Sequence, residues 1–308
     1  MKKVPMMLII DDGTPITDVF PMSYLHEFCD LMQRYGVRGK FSIIPMPTGH
    51  GDLVNGIKGH DKALTDQWLD TVRSRLGGSF DFCPEILTHA QVVDLETGGL
   101  LPVLEHEWSR TQDRTTMAPY IARAVELLTQ ADLKPTGVTS PVDFGIHVEN
   151  EYAASVALAF DKALGQKESW YFLHCRGYGY HPRPWVAYDD GERRVVSIPS
   201  NCPDRFWQSL DNPDDSDAFV HKMADQLLTE DGTAGDIAEI LADNGWPVML
   251  AHWQSMFSGG RMAGFKALKI VLERIERLLG DRVEWHSASE LMRKTLDAAS
   301  QRTCHPEE

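Results

Sequence analysis

Two adjacent acids follow the first apolar segment of the chain. The segment Val4 to Ile10 carries no charge, which is typical of a strand buried on both faces, and Asp11, Asp12 and Gly13 come directly after it. Neighbouring side chains of a strand point to opposite faces, so one carboxylate can bind a divalent metal while the other accepts a proton. A simple turn is the alternative, because Asp and Gly are turn residues, but burying two acids costs free energy.

Several histidines stand at the ends of apolar segments. His89 closes one such segment, His106 opens the sequence His-Glu-Trp-Ser-Arg, and His252 ends the run that starts at Val248. Imidazoles bind transition metals and transfer protons near neutral pH. A structural histidine is the alternative at each position, and it is our interpretation of His174, which ends an aromatic strand.

The elements that must position these residues alternate between short apolar strands and segments of helical periodicity. The clearest amphipathic helix is predicted at residues 115–133, and the predicted strands include 41–44, 170–175, 194–198 and 247–251. This alternation predicts an α/β fold with a parallel sheet and with its chemistry in the loops after the strands. Aromatic residues in the loop-rich segment 176–215 are candidates for a carbohydrate groove: Tyr178, Tyr180, His181, Trp185 and Trp207.

Composition and charge limit the classes of function that this protein can have. The 308 residues have a formal net charge of −15, which argues against a non-specific nucleic-acid binder. We find no signal-peptide pattern and no apolar run long enough for a transmembrane helix, so we expect a cytoplasmic protein without a membrane partner. The five scattered cysteines are expected to be reduced thiols, and the sequence leaves an oligomer open.

The first and last motifs resemble those of a known family. Residues 8–15, with Asp-Asp-Gly after an apolar pair, are similar to the opening motif of the polysaccharide deacetylases (carbohydrate esterase family 4). That resemblance implies that Asp11 is the general base and Asp12 a metal ligand. Residues 248–252 resemble the final motif, which implies that His252 is the general acid. The implied fold is a distorted (β/α)7 barrel in a single catalytic domain at residues 1–297, followed by a polar tail at 298–308.

The second family motif, two metal-binding histidines about four residues apart, is matched imperfectly. The segment at His106 has the Trp-Ser pair of that motif, but Arg110 stands at the place of the second histidine and cannot bind a cation. An insertion at residues 94–103 would allow His89 and His106 to meet, so the ligand set is expected to be Asp12, His89 and His106. Glu105 and Glu107 remain open as substitute ligands.

The third family motif lacks its arginine. Pro141, Phe144 and Gly145 match an Arg-x-Pro turn that forms one wall of the groove, whereas the arginine that orients the base in the family is absent. Asp143 is an additional acid in this turn. The residues expected to bind substrate are Asp143, Phe144, Trp108 and Trp253.

The resemblance implies a metal-dependent hydrolase that removes an acetyl or similar acyl group from a small carbohydrate or related amide. Its cofactor would be a divalent transition metal, with zinc the first candidate. One alternative is a glycoside hydrolase on the same barrel that uses two carboxylates, Asp11 or Asp12 with Asp143 or a Glu. Another alternative is a catalytically inactive carbohydrate-binding barrel. The missing arginine and the incomplete histidine pair are what this alternative predicts.

Overall fold

The computed structural model describes residues 2–174, 176–177 and 179–304. Its strands are β1 (Val4–Gly13), β2 (Gly39–Ile43), β3 (Gly51–Asp52), β4 (Gly56–Ile57), β5 (Phe80–Pro84), β6 (Gln91–Val93), β7 (Leu100–Leu104), β8 (Gly137–Ser140), β9 (Glu168–Leu173), β10 (Trp185–Asp189), β11 (Arg194–Ile198), β12 (Val248–His252) and β13 (Val283–Trp285). Its α-helices are α1 (Met22–Arg34), α2 (Lys62–Leu76), α3 (Glu105–Ser109), α4 (Arg114–Gln130), α5 (Glu149–Leu164), α6 (Gln208–Asp211), α7 (Asp217–Leu227), α8 (Asp236–Ala242), α9 (Trp253–Phe257), α10 (Ala263–Leu279) and α11 (Ala288–Cys304). Within this part of the chain, each helix is too short or too polar to cross a membrane.

The strands form two main sheets that are largely parallel. The first has the order β12-β1-β2-β5, with β13 pairing to β1, and the second has the order β10-β11-β9-β8. Only β10 runs antiparallel to its neighbour in these sheets. Because parallel strands need crossover connections, the long helices lie between them in sequence and the strand ends collect at one edge.

Single residue pairs join the two sheets on both sides. Glu85, just after β5, bridges to Thr139 on β8, and Cys202, a few residues after β11, bridges to Met249 on β12. The described strands therefore form a mixed α/β structure in which two sheets meet at isolated bridges. The pairings of the described strands do not form a continuously hydrogen-bonded barrel.

The apolar core lies on both faces of the sheets. The largest cluster packs α1, α2, α7 and α10 against β1 and β2, and a second packs α4 and α5 against β8 and β9. A third cluster joins the facing sides of the two sheets to α11. Burial on both faces explains why β1 reads as an unbroken apolar run, since each of its side chains after Val4 is buried.

The long elements lie where the sequence predicts them. The strand at Arg194–Ile198 has the predicted bounds, and the helix predicted at 115–133 is observed at Arg114–Gln130. The short helices α3, α6 and α9 and the hairpin of β6 and β7 were not predicted, because elements of this length depend on tertiary contacts. The tail predicted from residue 298 continues α11 as far as Cys304, and residues 305–308 lie outside the described part.

Candidate functional site

Acids and histidines collect where the parallel strands end. Asp11 and Asp12 lie near the end of β1, Glu85 follows β5, His174 follows β9, and His252 is the last residue of β12. Asp11 and His252 are register partners of neighbouring strands. Among the described residues, two groups bring three potential ligand atoms within 4.8 Å of one another: Asp12, Glu85 and His89, and Asp11, His174 and His252.

The first group has one histidine between two carboxylates. Nε2 of His89 lies 2.9 Å from Oδ1 of Asp12 and 3.6 Å from Oε1 of Glu85. Oε2 of Glu85 accepts hydrogen bonds from the backbone N–H of Asp12 (2.7 Å) and from the hydroxyl of Ser42 (2.6 Å). Oε1 of Glu85 is buried and accepts no hydrogen bond from the described residues. An unsatisfied buried carboxylate oxygen that faces an imidazole is suited to a cation.

The backbone around this group is in the left-handed region at three non-glycine residues. The φ angles are 62° at Asp12, 46° at Ile86 and 57° at His89. For a β-branched residue such as Ile86 this conformation costs free energy, and such strain persists only where the surroundings hold it. The chain is therefore held in a conformation that directs Asp12, Glu85 and His89 toward one point.

Glu105 holds the loop that carries His89. Its carboxylate accepts hydrogen bonds from the backbone N–H groups of Leu87 (3.3 Å), Thr88 (2.8 Å) and His89 (2.9 Å). The hydroxyl of Tyr120 donates a fourth at 2.7 Å. Glu105 is buried, both of its carboxylate oxygens accept hydrogen bonds, and it belongs to neither group of potential ligands among the described residues, so it holds the backbone at His89.

The ionisable side chains of the first group shift one another's pKa values strongly. Burial, followed by the charges of Asp12 and Asp11, raises the pKa of Glu85 to about 7. Burial opposes protonation of His89, but its hydrogen bond to Asp12 and the charge of Glu85 raise its pKa to about 10. Burial also opposes ionisation of Asp12, yet His89 lowers its pKa well below the usual range. These opposing shifts are those of a negatively charged pocket, which a divalent cation would neutralise.

The second group, together with Asp204, forms a line in which two imidazoles lie between two carboxylates. Nδ1 of His174 lies 3.2 Å from Oδ2 of Asp11, and Nε2 of His174 lies 3.2 Å from Nε2 of His252. Nδ1 of His252 lies 2.7 Å from Oδ2 of Asp204. Asp204 also accepts hydrogen bonds from the hydroxyl of Ser255 (2.7 Å) and the backbone N–H of His252 (3.1 Å), which fixes the orientation of the His252 ring.

Asp11 is buried behind this line. The ammonium of Lys40 and the hydroxyl of Ser42 bind its Oδ1, while His174 binds its Oδ2. Burial raises the pKa of Asp11, but the charge of Lys40 and the contacts with His174 outweigh it and lower the pKa to about 2. Asp11 is 0% exposed, so the expected direct contact between this carboxylate and a substrate water has no open path.

The structure brings together only part of the predicted metal site. Asp12 and His89 meet, but His106 belongs to neither group of potential ligands among the described residues. The hairpin of β6 and β7 does bring the ends of the insertion together, as predicted, yet the residue that returns to His89 is Glu105, and His106 follows it on α3. Glu107 is exposed on the same helix.

The predicted substrate residues lie in varied surroundings. Trp253 is fully buried and packs against Tyr24, Phe28 and Phe41, so its ring has no free face for a sugar. Phe144 is also fully buried and lies 6.3 Å, ring centre to ring centre, from the partly buried Trp108. The predicted stacking role is therefore corrected to core packing for Trp253 and Phe144, because both rings are enclosed.

Asp143 is engaged by basic side chains. Its Oδ2 lies 2.8 Å from the guanidinium of Arg110 and 3.1 Å from Nε2 of His147. Burial raises the pKa of Asp143, but the hydrogen bonds from Arg110 and His147 lower it below its usual value. This arrangement is a partly exposed ion-pair cluster and lacks the raised pKa of a catalytic acid.

Two residues of the groups, Glu85 and His174, and two residues that contact the second group, Lys40 and Asp204, were not predicted as site residues. Glu85 stands four residues before His89, so Glu-x-x-x-His occupies the spacing that the resemblance assigns to two histidines. Lys40 is the one charged residue of β2, which is buried along its whole length. His174 directly follows β9, and His252 is the last residue of β12. Asp204 lies in a loop and has no local signal that could have identified it.

Of the aromatic groove candidates, Tyr178 lies outside the described residues, and Trp207 contacts His252 at 4.8 Å between ring centres.

Comparison with known proteins gives similarity of fold only. No family model matches the chain, and no curated protein matches it. A putative cellobiose-phosphate cleavage protein from Enterococcus faecalis shares 9% identity over 94% of this chain and 100% of that one, with a TM-score of 0.50. Sequence identity at this level supports a common fold and leaves the chemistry to the site itself.

Two further similarities are weaker. Peptidoglycan deacetylase PdaC from Bacillus subtilis is 11% identical over 98% of this chain and 97% of that one, with a TM-score of 0.42. A 4-alpha-glucanotransferase from Thermococcus litoralis is 12% identical over 94% of this chain, with a TM-score of 0.44, and the chain covers 38% of its length.

Proposed function

We propose that this protein is a divalent-metal-dependent hydrolase of the polysaccharide deacetylase type, which removes an acetyl or similar acyl group from a carbohydrate or a related amide on a distorted (β/α)7 barrel. The observation that carries the proposal is the convergence of Asp12, Glu85 and His89, with a buried carboxylate oxygen of Glu85 that accepts no hydrogen bond from the described residues. This site lies beside an acid–base line of Asp11, His174 and His252.

Asp12, Glu85 and His89 would hold the metal. Two carboxylates and one imidazole suit a divalent transition metal, and three protein ligands leave positions for water and substrate, as in catalytic zinc sites. Zinc is the first candidate. When bound, the metal would polarise the acyl carbonyl and activate a water molecule for attack.

The remaining residues would transfer protons or hold the reacting side chains in position. Asp204 and Ser255 fix His252, whose Nε2 can donate a proton to the departing nitrogen or oxygen. Gln254 donates a hydrogen bond to Oδ2 of Asp12, which leaves Oδ1 on the side of His89. Lys40 keeps Asp11 ionised, so this carboxylate can stabilise a positively charged His174.

The alternatives are less well supported. A two-carboxylate glycoside hydrolase would pair Asp11 or Asp12 with Asp143 or a Glu. Asp143 is held ionised by Arg110 and His147. Glu85 has a raised pKa, but it is fully buried, and its neighbours Asp11 and Asp12 are also buried. A catalytically inactive binding barrel has no need of the strained backbone at Asp12, Ile86 and His89.

Metal content of the purified protein tests the proposal. We expect the parent to bind one equivalent of zinc or a similar ion, and Glu85→Gln and Asp12→Asn to lose it, because each removes one charged ligand. Glu107→Gln is the matched control, since Glu107 is an exposed acid outside both groups. A parent that is metal-free and takes up no added zinc would exclude the metal-dependent mechanism. A metal-loaded parent is then assayed for acetate release from N,N′-diacetylchitobiose.

A further inference from the structure

Gln254 connects the proposed metal site to the strand that ends in the proposed acid. It lies on α9, two residues after His252, and its Nε2 donates a hydrogen bond to Oδ2 of Asp12. Asp12 directly follows Asp11, which is the register partner of His252 on the neighbouring strand. The amide of Gln254 is therefore placed beside a proposed metal ligand and close to the group that would protonate the leaving atom.

The carboxylate of Asp12 fixes the orientation of this amide. A carboxylate binds a cation in its ionised form, and an ionised carboxylate only accepts hydrogen bonds. The amide atom that faces Asp12 must therefore be the nitrogen of Gln254. The other amide atom, Oε1, is an acceptor that is directed away from Asp12.

Oε1 of Gln254 is available to a ligand. It accepts no hydrogen bond from the residues that the structure describes, and Gln254 is partly exposed. In the same part of the chain, this oxygen is not one of the buried polar atoms that lack a partner, so solvent reaches it. Because Oε1 and Nε2 are bonded to the same carbon, an accessible acceptor lies one amide group away from Asp12.

The backbone that carries Gln254 is held on both sides. The side chain of Trp253 is fully buried, and its carbonyl accepts a hydrogen bond from the hydroxyl of Tyr24 at 3.0 Å. The carbonyl of Ser255 accepts a hydrogen bond from the hydroxyl of Ser209 at 2.9 Å. The side chain of Gln254 therefore starts from a fixed backbone, and the hydrogen bond of its Nε2 holds the other end.

We propose that Oε1 of Gln254 accepts a hydrogen bond from the N–H of the acylated nitrogen and makes the site selective for N-acyl over O-acyl groups, a role that rests on the hydrolase function proposed above. The nitrogen of an N-acyl sugar carries a hydrogen, whereas an ester oxygen has only lone pairs. An amide substrate therefore satisfies Oε1, and an ester places a second acceptor against it.

The same contact orients the leaving nitrogen. When water adds to the acyl carbon, the lone pair of the nitrogen is no longer delocalised into the carbonyl group and can accept a proton. Because the N–H is bound to Gln254, the lone pair lies on another side of the nitrogen, where His252 supplies the proton. The bond from carbon to nitrogen then breaks, the electron pair stays on nitrogen, and the original hydrogen remains on the released amine.

The expected selectivity is moderate because Oε1 is open to solvent. A buried acceptor that is left unpaired discriminates strongly between substrates, but at an exposed oxygen water replaces the missing N–H. One neutral hydrogen bond of this kind corresponds to about 3- to 10-fold in kcat/KM.

Carbon-13 NMR of the zinc-treated protein tests the contact without reference to activity. With glutamine labelled at Cδ, we expect N,N′-diacetylchitobiose to shift the assigned resonance of Gln254. Cellobiose, which has the same linkage but no N-acyl group, should leave this resonance in place. An unchanged resonance at the highest soluble concentration of N,N′-diacetylchitobiose, or equal shifts with both sugars, would overturn the proposal. The measurement uses the parent, so it stands if a variant fails to fold.

Kinetics with a matched amide and ester test the selectivity. In Gln254→Leu we expect the ratio of kcat/KM for acetanilide to kcat/KM for phenyl acetate to fall by about 3- to 10-fold relative to the parent. Loss of the hydrogen bond to Asp12 affects both substrates, so the ratio isolates the contact with the N–H. Gln67→Leu, which changes an exposed glutamine on α2, is the control and should keep the parent ratio.

The two proposals fail in different ways. An unchanged ratio in a Gln254→Leu variant that still releases acetate would overturn the role of Gln254 and leave the hydrolase function intact. A parent that releases acetate from none of these substrates would contradict the proposed function, while the NMR measurement would still decide whether Gln254 binds the N-acyl group.

Discussion

The ammonium of Lys40 donates hydrogen bonds to the carboxylate of Asp11 and to the hydroxyl of Thr139, and all three side chains are fully buried. Thr139 stands at the place of the missing arginine in the motif that ends with Pro141, Phe144 and Gly145. A lysine from β2 therefore reaches the position at which the resemblance implies an arginine from β8. In this structure the buried cation beside Asp11 is supplied by β2.

Removing this cation should destabilise the fold. In Lys40→Met, Asp11 keeps a buried charge without its main partner, and we expect the free energy of unfolding to fall by about 3–5 kcal/mol. The double variant Lys40→Met/Asp11→Asn should lose less than the sum of the single variants, because it leaves no unpaired charge. Urea unfolding measures both. Lys62→Met, which breaks the exposed pair with Asp66, is the control and should change stability little. Additive losses would contradict a coupled pair.

Glu105 should control metal affinity from outside the ligand set. In Glu105→Gln, one side-chain oxygen is replaced by an amide N–H₂ group that faces the backbone donors of residues 87–89, so the loop should relax from its left-handed conformation at His89. We expect the affinity for zinc to fall by about 10- to 100-fold, as for other residues that orient a ligand. Competition with a chelator measures it, and Glu107→Gln is the matched control. Unchanged affinity would show that His89 holds its place without Glu105.

Trp207 should contribute to substrate binding. Trp207 is 42% exposed and its ring lies edge to face with His252, so among the described aromatic residues it is well placed to cover a sugar ring beside His252. Relative to the parent, Trp207→Ala should raise KM for N,N′-diacetylchitobiose by about 2- to 10-fold, as expected for the loss of one aromatic contact. Trp207→Phe keeps a flat ring and should recover most of this loss. Equal KM values in all three proteins would place the sugar elsewhere.

The buried thiols should resist alkylation. Burial raises the pKa of Cys29 to about 11 and that of Cys83 to about 12, and Cys202 is also buried. Because the thiolate is the reactive form, and its fraction at pH 8 falls as the pKa rises, the native protein should leave Cys29 and Cys83 unmodified by iodoacetamide. Peptide mass spectrometry before and after urea denaturation measures this site by site. Rapid native labelling of Cys83 would mean that the strand ends open easily. The side chains of Cys175 and Cys304 lie outside the described part of the chain.

The sequence by itself determined the long elements and the edge at which the chemistry lies. Apolar runs such as Val4 to Ile10 and the helical periodicity of residues 115–133 depend on local patterns, and both appear close to their predicted bounds. Asp11, Asp12 and His252 were predicted as site residues from the first and last motifs. Asp11 and His252 lie side by side because the carboxyl ends of parallel strands share one edge. The spacing of the motifs also identified His89 as a candidate metal ligand.

Tertiary structure alone decided which partners complete the site. Glu85 and not His106 joins Asp12 and His89, because the loop from Glu85 to His89 turns back on β1 while Glu105 holds it from behind. Lys40, His174 and Asp204 come from three distant parts of the chain and meet only through strand order and side-chain burial, which no local pattern records. The complete burial of Asp11 follows for the same reason, since burial depends on the neighbouring strands as well as on the residue itself.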